Sequence, residues 1–452
     1  MPDLQTTLSR MSPWWDGGFV LTGVVHRPRL MERVRQGLDS RDILLLTGLR
    51  RVGKTTLMRE LVHHLLFERG VSSTCIMYAS LDAYPLHRVT MEELVDKFRQ
   101  MHRHPFERRL YLFLDEVTAA TDWEQQLKGL YDGHDVKIIA ASSSASVLRE
   151  QKGFITGRSR TFEVTPLDFE EYLTFRDIRF TQADRPLIDA YLADYLRDGG
   201  MPGYVLTGDD EHLRQLADDI ISKDIAAKHG VKDMQPLRDF FLLLMERAGK
   251  QASISKMAAV LGISPDTSRR YLGYFEDTFL VQTIGRYGKL SETLHSPKKL
   301  YEADLGMRVC FTGFRDTGAL FESYVYQKLR SRRPRYVLED GAEIDFFTED
   351  RVLIEAKYGT SLRPKQQALF DSFPAKERLV IGGVWDLARL EPQPETFLQR
   401  VFAPRPPQAV VGSGEMRDAA AADTPVYASS SGPQRTVLYG PPPGRMQVTR
   451  KH

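Results

Sequence analysis

Cysteine is nearly missing from this chain of 452 residues; only Cys75 and Cys310 occur, far apart, neither with a second Cys or a His at ligand spacing. That scarcity excludes a disulfide framework and a cysteine-ligated zinc site, and each thiol reads as buried. Long apolar runs are missing too. No window of about 18 apolar residues occurs, so no membrane-spanning helix is expected. Met1-Pro2-Asp3 is not followed by a basic stretch and an apolar run, so no leader is expected and the chain reads as a reduced cytoplasmic protein. A charge excess of one sign is also lacking: the net charge is only +2, which leaves any contact with nucleic acid to local basic patches.

What is present is an ordinary globular composition, 42% apolar and 27% charged. The length suggests about three units of roughly 100–200 residues each. The apolar run Ile43-Leu44-Leu45-Leu46 has the length of a buried strand, and a glycine-rich loop follows at once. Leu57, Leu61, Leu65 and Leu66 then recur at helical spacing, so the loop lies between a strand and a helix. Apolar runs at 75–78, 110–114 and 136–141 alternate with helical stretches near 91–101 and 122–131, which predicts a parallel α/β sheet. A short extended piece at 161–164 precedes Pro166, where the first domain edge is placed.

The loop Gly48, Leu49, Arg50, Arg51, Val52, Gly53, Lys54, Thr55, followed by Thr56, carries the chemistry of a phosphate site. Small residues let successive backbone N–H groups converge on phosphate oxygens, and the helix that starts there adds the positive end of its dipole. Lys54 is expected to neutralise the β- and γ-phosphates of ATP, and the Thr55 hydroxyl to ligate Mg²⁺. A second strand ends Leu114-Asp115-Glu116. There Asp115 is expected to hold Mg²⁺ through its water shell, and Glu116 to orient or deprotonate the attacking water. Arg50, Arg51 and Arg158 are each placed where a guanidinium could reach the γ-phosphate, and Ser142, Ser143 and Ser144 where a hydroxyl could sense it.

The runs 47–57, 111–116, Trp123-Glu124, Gly157-Arg158 and Pro166-Leu167-Asp168-Phe169-Glu170-Glu171-Tyr172 resemble those of prokaryotic AAA-type P-loop ATPases with a carboxy-terminal domain of uncertain role. The resemblance covers about residues 25–400, and Gly200-Met201-Pro202 and the run 300–306 belong to it. It implies an AAA+ core, a helical lid, a winged helix and a restriction-endonuclease-like end domain, and assembly in which Arg158 reaches a neighbouring subunit's γ-phosphate. Ala140-Ala141 stands where these proteins commonly have Thr-Gly before the serines.

Beyond the core, 167–230 reads as helical, broken by Gly199-Gly200-Met201-Pro202-Gly203. Helical pieces at 237–247, 254–261 and 266–275, a turn at 262–264 and an extended piece at 279–284 follow the order of a winged helix-turn-helix. Ser268-Arg269-Arg270-Tyr271 would lie on its groove-entering helix and Arg286, Tyr287 and Lys289 in its wing, while Arg330, Arg332, Arg333 and Arg335 add positive charge in the end domain near its carboxylate cluster. DNA is therefore an expected partner, although winged helices also bind proteins.

The last α/β stretch places Asp345 about ten residues before Glu355-Ala356-Lys357, each on a short apolar strand, with Glu322 on the preceding helix and Gln366 or Gln367 on the following one. Period two puts Glu355 and Lys357 on one face, so Asp345 and Glu355 could share a divalent metal while Lys357 activates water. This resembles the PD-(D/E)xK nuclease arrangement. A half-buried hairpin with a surface salt bridge would look the same. The resulting plan is an ATPase core at 1–165, a helical lid at 166–230, a winged helix at 231–292, a nuclease-like α/β domain at 293–402 and a disordered tail at 403–452. That tail holds eight of the chain's 24 prolines.

Overall fold

The computed structural model describes residues 3–86, 88–147, 154–391, 401 and 402; the expected disordered tail lies outside them. Five strands form the first sheet: β1 Ile43–Thr47, β2 Ile76–Ser80, β3 Leu110–Asp115, β4 Val136–Ser142 and β5 Ser159–Glu163. All pairings are parallel, in the order β2-β3-β4-β1-β5. Every residue of β1 and β4 is buried, which is why they read as unbroken apolar runs instead of alternating ones. Lys137 is the exception inside β4. Its ammonium donates to the carbonyls of Gly37, Ser40 and Asp42 at 2.6, 2.7 and 2.6 Å, which satisfies all three donors.

Helices then lead to a small antiparallel sheet of β6 Lys250–Ala252, β7 Val281–Ile284 and β8 Lys298–Glu302, in the order β6-β8-β7. Between β6 and β7 lie the helices Ile254–Leu261 and Pro265–Asp277, the second capped by Ser264, whose hydroxyl accepts from Thr267 N. The expected boundary at residue 292 falls between β7 and its partner β8, inside one hairpin.

The end sheet has the order β12-β11-β10-β9, with β9 Arg335–Glu339, β10 Ala342–Phe347, β11 Val352–Ala356 and β12 Glu377–Ile381. β11 and β12 are parallel; the other pairs are antiparallel. The helical segment expected to form a lid does not keep a core of its own throughout. Leu167, Phe169, Tyr172, Leu192, Tyr195 and Leu196 pack in one cluster with Tyr324, Phe346, Ile354 and Leu379 of the end domain. The packing at this seam is tight: a Cβ on Gly306 would lie 1.9 Å from the Asp198 carbonyl oxygen. Among the described residues, no helix is long and apolar enough to cross a membrane.

Candidate functional site

The loop between β1 and the helix Lys54–His63 follows the strand's carboxyl end, and β3 delivers Asp115 to the same edge of the sheet. Gly48 has φ 147° and lies so close to β5's exit that a Cβ would stand 2.1 Å from the Val164 carbonyl oxygen. Gly53, at φ 103°, starts the helix. Leu49 and Val52 are buried and anchor the loop, whereas Thr56 is exposed.

Lys54 is 5% exposed and its ammonium donates to the carbonyls of Gly48 at 2.8 Å and Leu49 at 3.0 Å. Burial lowers its pKa, opposed by the charges of Glu116 and Asp115. Thr55 Oγ1 donates to Asp115 Oδ2 at 2.6 Å, and the Tyr78 hydroxyl donates to the same oxygen at 2.8 Å. A hydroxyl and a carboxylate facing each other form the hard-oxygen donor set that Mg²⁺ takes beside phosphate.

Glu116 adopts φ 49°, a left-handed conformation that turns its side chain away from the strand line. Its Oε2 accepts from Ser143 N at 3.1 Å and Ser143 Oγ at 3.0 Å. Burial pushes its carboxyl up, with Lys54 pulling the other way. Of the three serines after β4, Ser143 therefore meets Glu116, whereas Ser142 pairs with Thr118 at 2.9 Å and receives Ser144 N at 3.0 Å. A cavity of about 280 Å³ opens beside Glu116, walled by Arg50, Ser143, Lys228, Tyr274 and Thr278.

The three arginines lie in different surroundings. Arg50 binds Asp224 at 2.5 Å and Arg51 binds Asp219 at 2.8 Å, so both tie the loop to the helical segment beyond the core. Arg158 lies at the opposite edge of its own chain's sheet. Its carbonyl receives Ile43 N, and Ser159 pairs with Ile43, which puts Arg158 at the amino edge of the sheet. A five-residue strand separates that edge from the loop, about 15 Å at ~3.3 Å per residue. There Arg158 reaches Asp132 at 3.4 Å and lies over the Tyr131 ring, away from its own chain's phosphate loop. Tyr78 was the residue missed; a tyrosine inside an apolar strand gave no sign of facing Asp115.

The distal carboxylates do come together. Asp345 N donates to Glu355 Oε2 at 3.0 Å and Ala356 N to Asp345 Oδ2 at 3.0 Å, as the β10–β11 register requires. Lys357 meets Glu355 Oε1 at 2.5 Å, and Gln366 reaches the same oxygen at 3.2 Å, while Gln367 turns to Asp371. Glu322 accepts from the Tyr301 hydroxyl at 2.7 Å. The carboxylates expected to share a metal have partners within the chain: Lys299 lies 2.8 Å from Asp345 Oδ1, 2.7 Å from Glu322 Oε1 and 2.6 Å from Glu343 Oε1. Among the described residues as they stand, with the Lys299 ammonium between these carboxylates, no group of three His, Cys, Asp or Glu is disposed to hold a metal ion. Burial and Asp345 push both Glu322 and Glu355 up. Lys299 and Glu343 were missed. Lys299 precedes Asp345 by 46 residues, a pairing that no local pattern announces.

Several residues expected on a nucleic-acid face have partners within the chain, although Tyr287 and Arg333 stay exposed. Ser268 is buried with its hydroxyl on Ile254 O, and Tyr271 is 9% exposed. Arg286 donates to Leu338 O, and Tyr287 packs on Phe347 and Phe373. Arg330, Arg332 and Arg333 pair with Glu163, Asp350 and Glu349. Arg269 and Arg270 remain exposed.

Residues 40–173 match the AAA domain family, and residues 189–318 match a domain of unknown function (DUF8612). The first segment is AAA-like. Its parallel sheet, loop and acidic strand end resemble those of a P-loop ATPase. Similar chains include an uncharacterized protein of Methanocaldococcus jannaschii, 24% identical over 348 residues, covering 72% of this chain and 77% of that one. Another, from Haemophilus influenzae, is 25% identical over 297 residues, covering 63% and 73%. Among solved structures, a Walker-type ATPase of Pyrococcus abyssi overlaps 65% of this chain and 97% of its own at 13% identity and a TM-score of 0.41. The Saccharomyces cerevisiae Hsp104–ADP complex overlaps 57% and 52% at 16% identity and a TM-score of 0.33. Neither overlap is deep enough to bear on function.

Proposed function

We propose that the AAA-like domain binds ATP with Mg²⁺, hydrolyses it, and passes the nucleotide state to the helices that follow. The observation that carries this reading is the continuous polar chain from Thr55 through Asp115 to Glu116 and Ser143, at the edge where the glycine loop opens. Lys54 leaves its loop carbonyls to meet the β- and γ-phosphates; a charge-assisted contact outweighs one to a neutral carbonyl. Mg²⁺ supplies positive charge to those phosphates. Glu116 takes or orients the proton of the attacking water.

The same cavity offers a route outward. Its wall joins Glu116 and Ser143 to Tyr274 and Thr278, and Ala145 N donates to the Asp277 carbonyl at 2.6 Å. A change at the γ-phosphate is thus felt by the helix Pro265–Asp277, whose exposed Arg269 and Arg270 suit phosphates of DNA. This reading favours a nucleotide-dependent switch over a cutting enzyme. Lys54→Ala is expected to weaken nucleotide binding by about tenfold or more, the worth of one charge-assisted hydrogen bond, in a titration with a fluorescent nucleotide. Unchanged affinity would remove the loop from the site. DNA binding is tested by polarisation at rising salt, with and without ATP. A salt-insensitive or absent signal assigns the switch to a protein partner.

A further inference from the structure

Lys299 belongs to β8, the middle strand of its sheet, where successive side chains alternate between faces. Lys298 is exposed and the Lys299 side chain is 2% exposed, so the second of the two lysines is the one driven inward. There it meets Glu322 from the helix Thr317–Leu329 and Glu343 and Asp345 from β10. A primary ammonium has three N–H donors, and each finds one carboxylate. Burial would pull this ammonium down, but Asp345 and Glu322 outweigh it and hold the charge.

Oxygens of Asp345, Glu343 and Glu355 that Lys299 does not reach are also engaged. Asp345 Oδ2 takes a backbone N–H of β11, and both Glu355 oxygens are occupied by Asp345 N, Lys357 and Gln366. Gln251 of β6 adds a hydrogen bond to Glu343 Oε2. The cluster therefore stitches the β6-β8-β7 sheet to the end sheet. The lysine's strand is not free to withdraw: Leu300 and Tyr301 beside it are fully buried, and the Tyr301 ring stacks on Tyr326 with centroids 4.1 Å apart.

We propose that the Lys299 ammonium is the permanent cation of this cluster, standing where the carboxylates would otherwise hold a divalent metal. Glu322, Glu343 and Asp345 then clamp a helix and two sheets together around one lysine, whatever metal chemistry the sequence led one to expect of Asp345. A metal entering this position would leave the ammonium buried without acceptors, which is strongly unfavourable. Deleting the lysine side chain, by contrast, leaves buried carboxylates converging on a vacated point, the requirement for a hard divalent cation.

The test is Mn²⁺ uptake by the nucleotide-free full chain, read from the electron paramagnetic resonance signal of free Mn²⁺. Native protein and Asp345→Asn should take up equal amounts. Lys299→Ala should take up one further Mn²⁺ per chain, lost again when Asp345→Asn is added. Uptake by native protein that Asp345→Asn abolishes overturns the proposal; this comparison holds even where Lys299→Ala does not fold. A folded Lys299→Ala with no added uptake overturns it as well. None of these readouts depends on ATP turnover, so they stand or fall apart from the role of Glu116.

Discussion

Under the proposed function, Glu116 is the one residue on which the chemistry turns. Its left-handed backbone aims the carboxylate along the line of Ser143, and burial raises its pKa above the ordinary glutamate value of 4.5. A general base works deprotonated, so turnover should rise with pH through that raised pKa and fall below it. The two hydrogen bonds from Ser143 favour the charged form and hold the pKa down. Ser143→Ala should therefore move the acid limb of the kcat profile to higher pH, and Glu116→Gln should keep nucleotide binding while lowering kcat by roughly 10²–10⁴-fold, the worth of a positioned base. A Glu116→Gln enzyme with an unchanged kcat would end its assignment as the base.

At the level of elements, sequence and structure agree where the signal is local. β1 was legible because a strand covered on both faces is apolar at every position, and the phosphate loop because its glycines answer to backbone geometry. Asp345 and Glu355 were legible as neighbours because a short turn between two apolar strands fixes their register. The place of Arg158 within its own chain was readable in the sequence. In a parallel sheet the residue before any strand lies at the amino edge, opposite the phosphates, and Arg158 immediately precedes β5. Lys299 was illegible for another reason: its partners come from a later helix and a different sheet. The loop's two arginine bridges to Asp224 and Asp219 are partly exposed, so each is worth about 0.2–1 kcal/mol. That is weak enough for nucleotide to release. Asp224→Ala should hardly move the melting temperature of the apo protein yet change ATP affinity in a binding titration. A large loss of stability with unaltered affinity would make the bridge a plain structural tie.

For the whole molecule, the seam between the helices after the core and the end domain matters most. Asp304 sits in it, 1% exposed, accepting from Gly200 N at 2.6 Å and Met307 N at 2.9 Å. Burial pushes its carboxyl up to about 6 despite those donors. Because the folded state then holds this proton more tightly than the unfolded chain, whose value is 3.8, the contribution is fullest below that value and is lost as pH rises through about 6. Asp304→Asn should flatten the dependence of chemical denaturation on pH across that window; an unchanged slope would mean that other groups set it.

The shared cluster of Leu192, Tyr195 and Leu196 with Tyr324 and Ile354 also decides how the chain opens. Segments that bury one another's apolar surface lose protection together. Amide protons of the helix Ile188–Asp198 should consequently exchange with deuterium at the same rate as those of β11, more than 150 residues away. Those of β1 should follow a timetable of their own. A protease nick near residue 230 would then leave two fragments still holding each other, since the chain's covalent order and its units of breathing do not coincide.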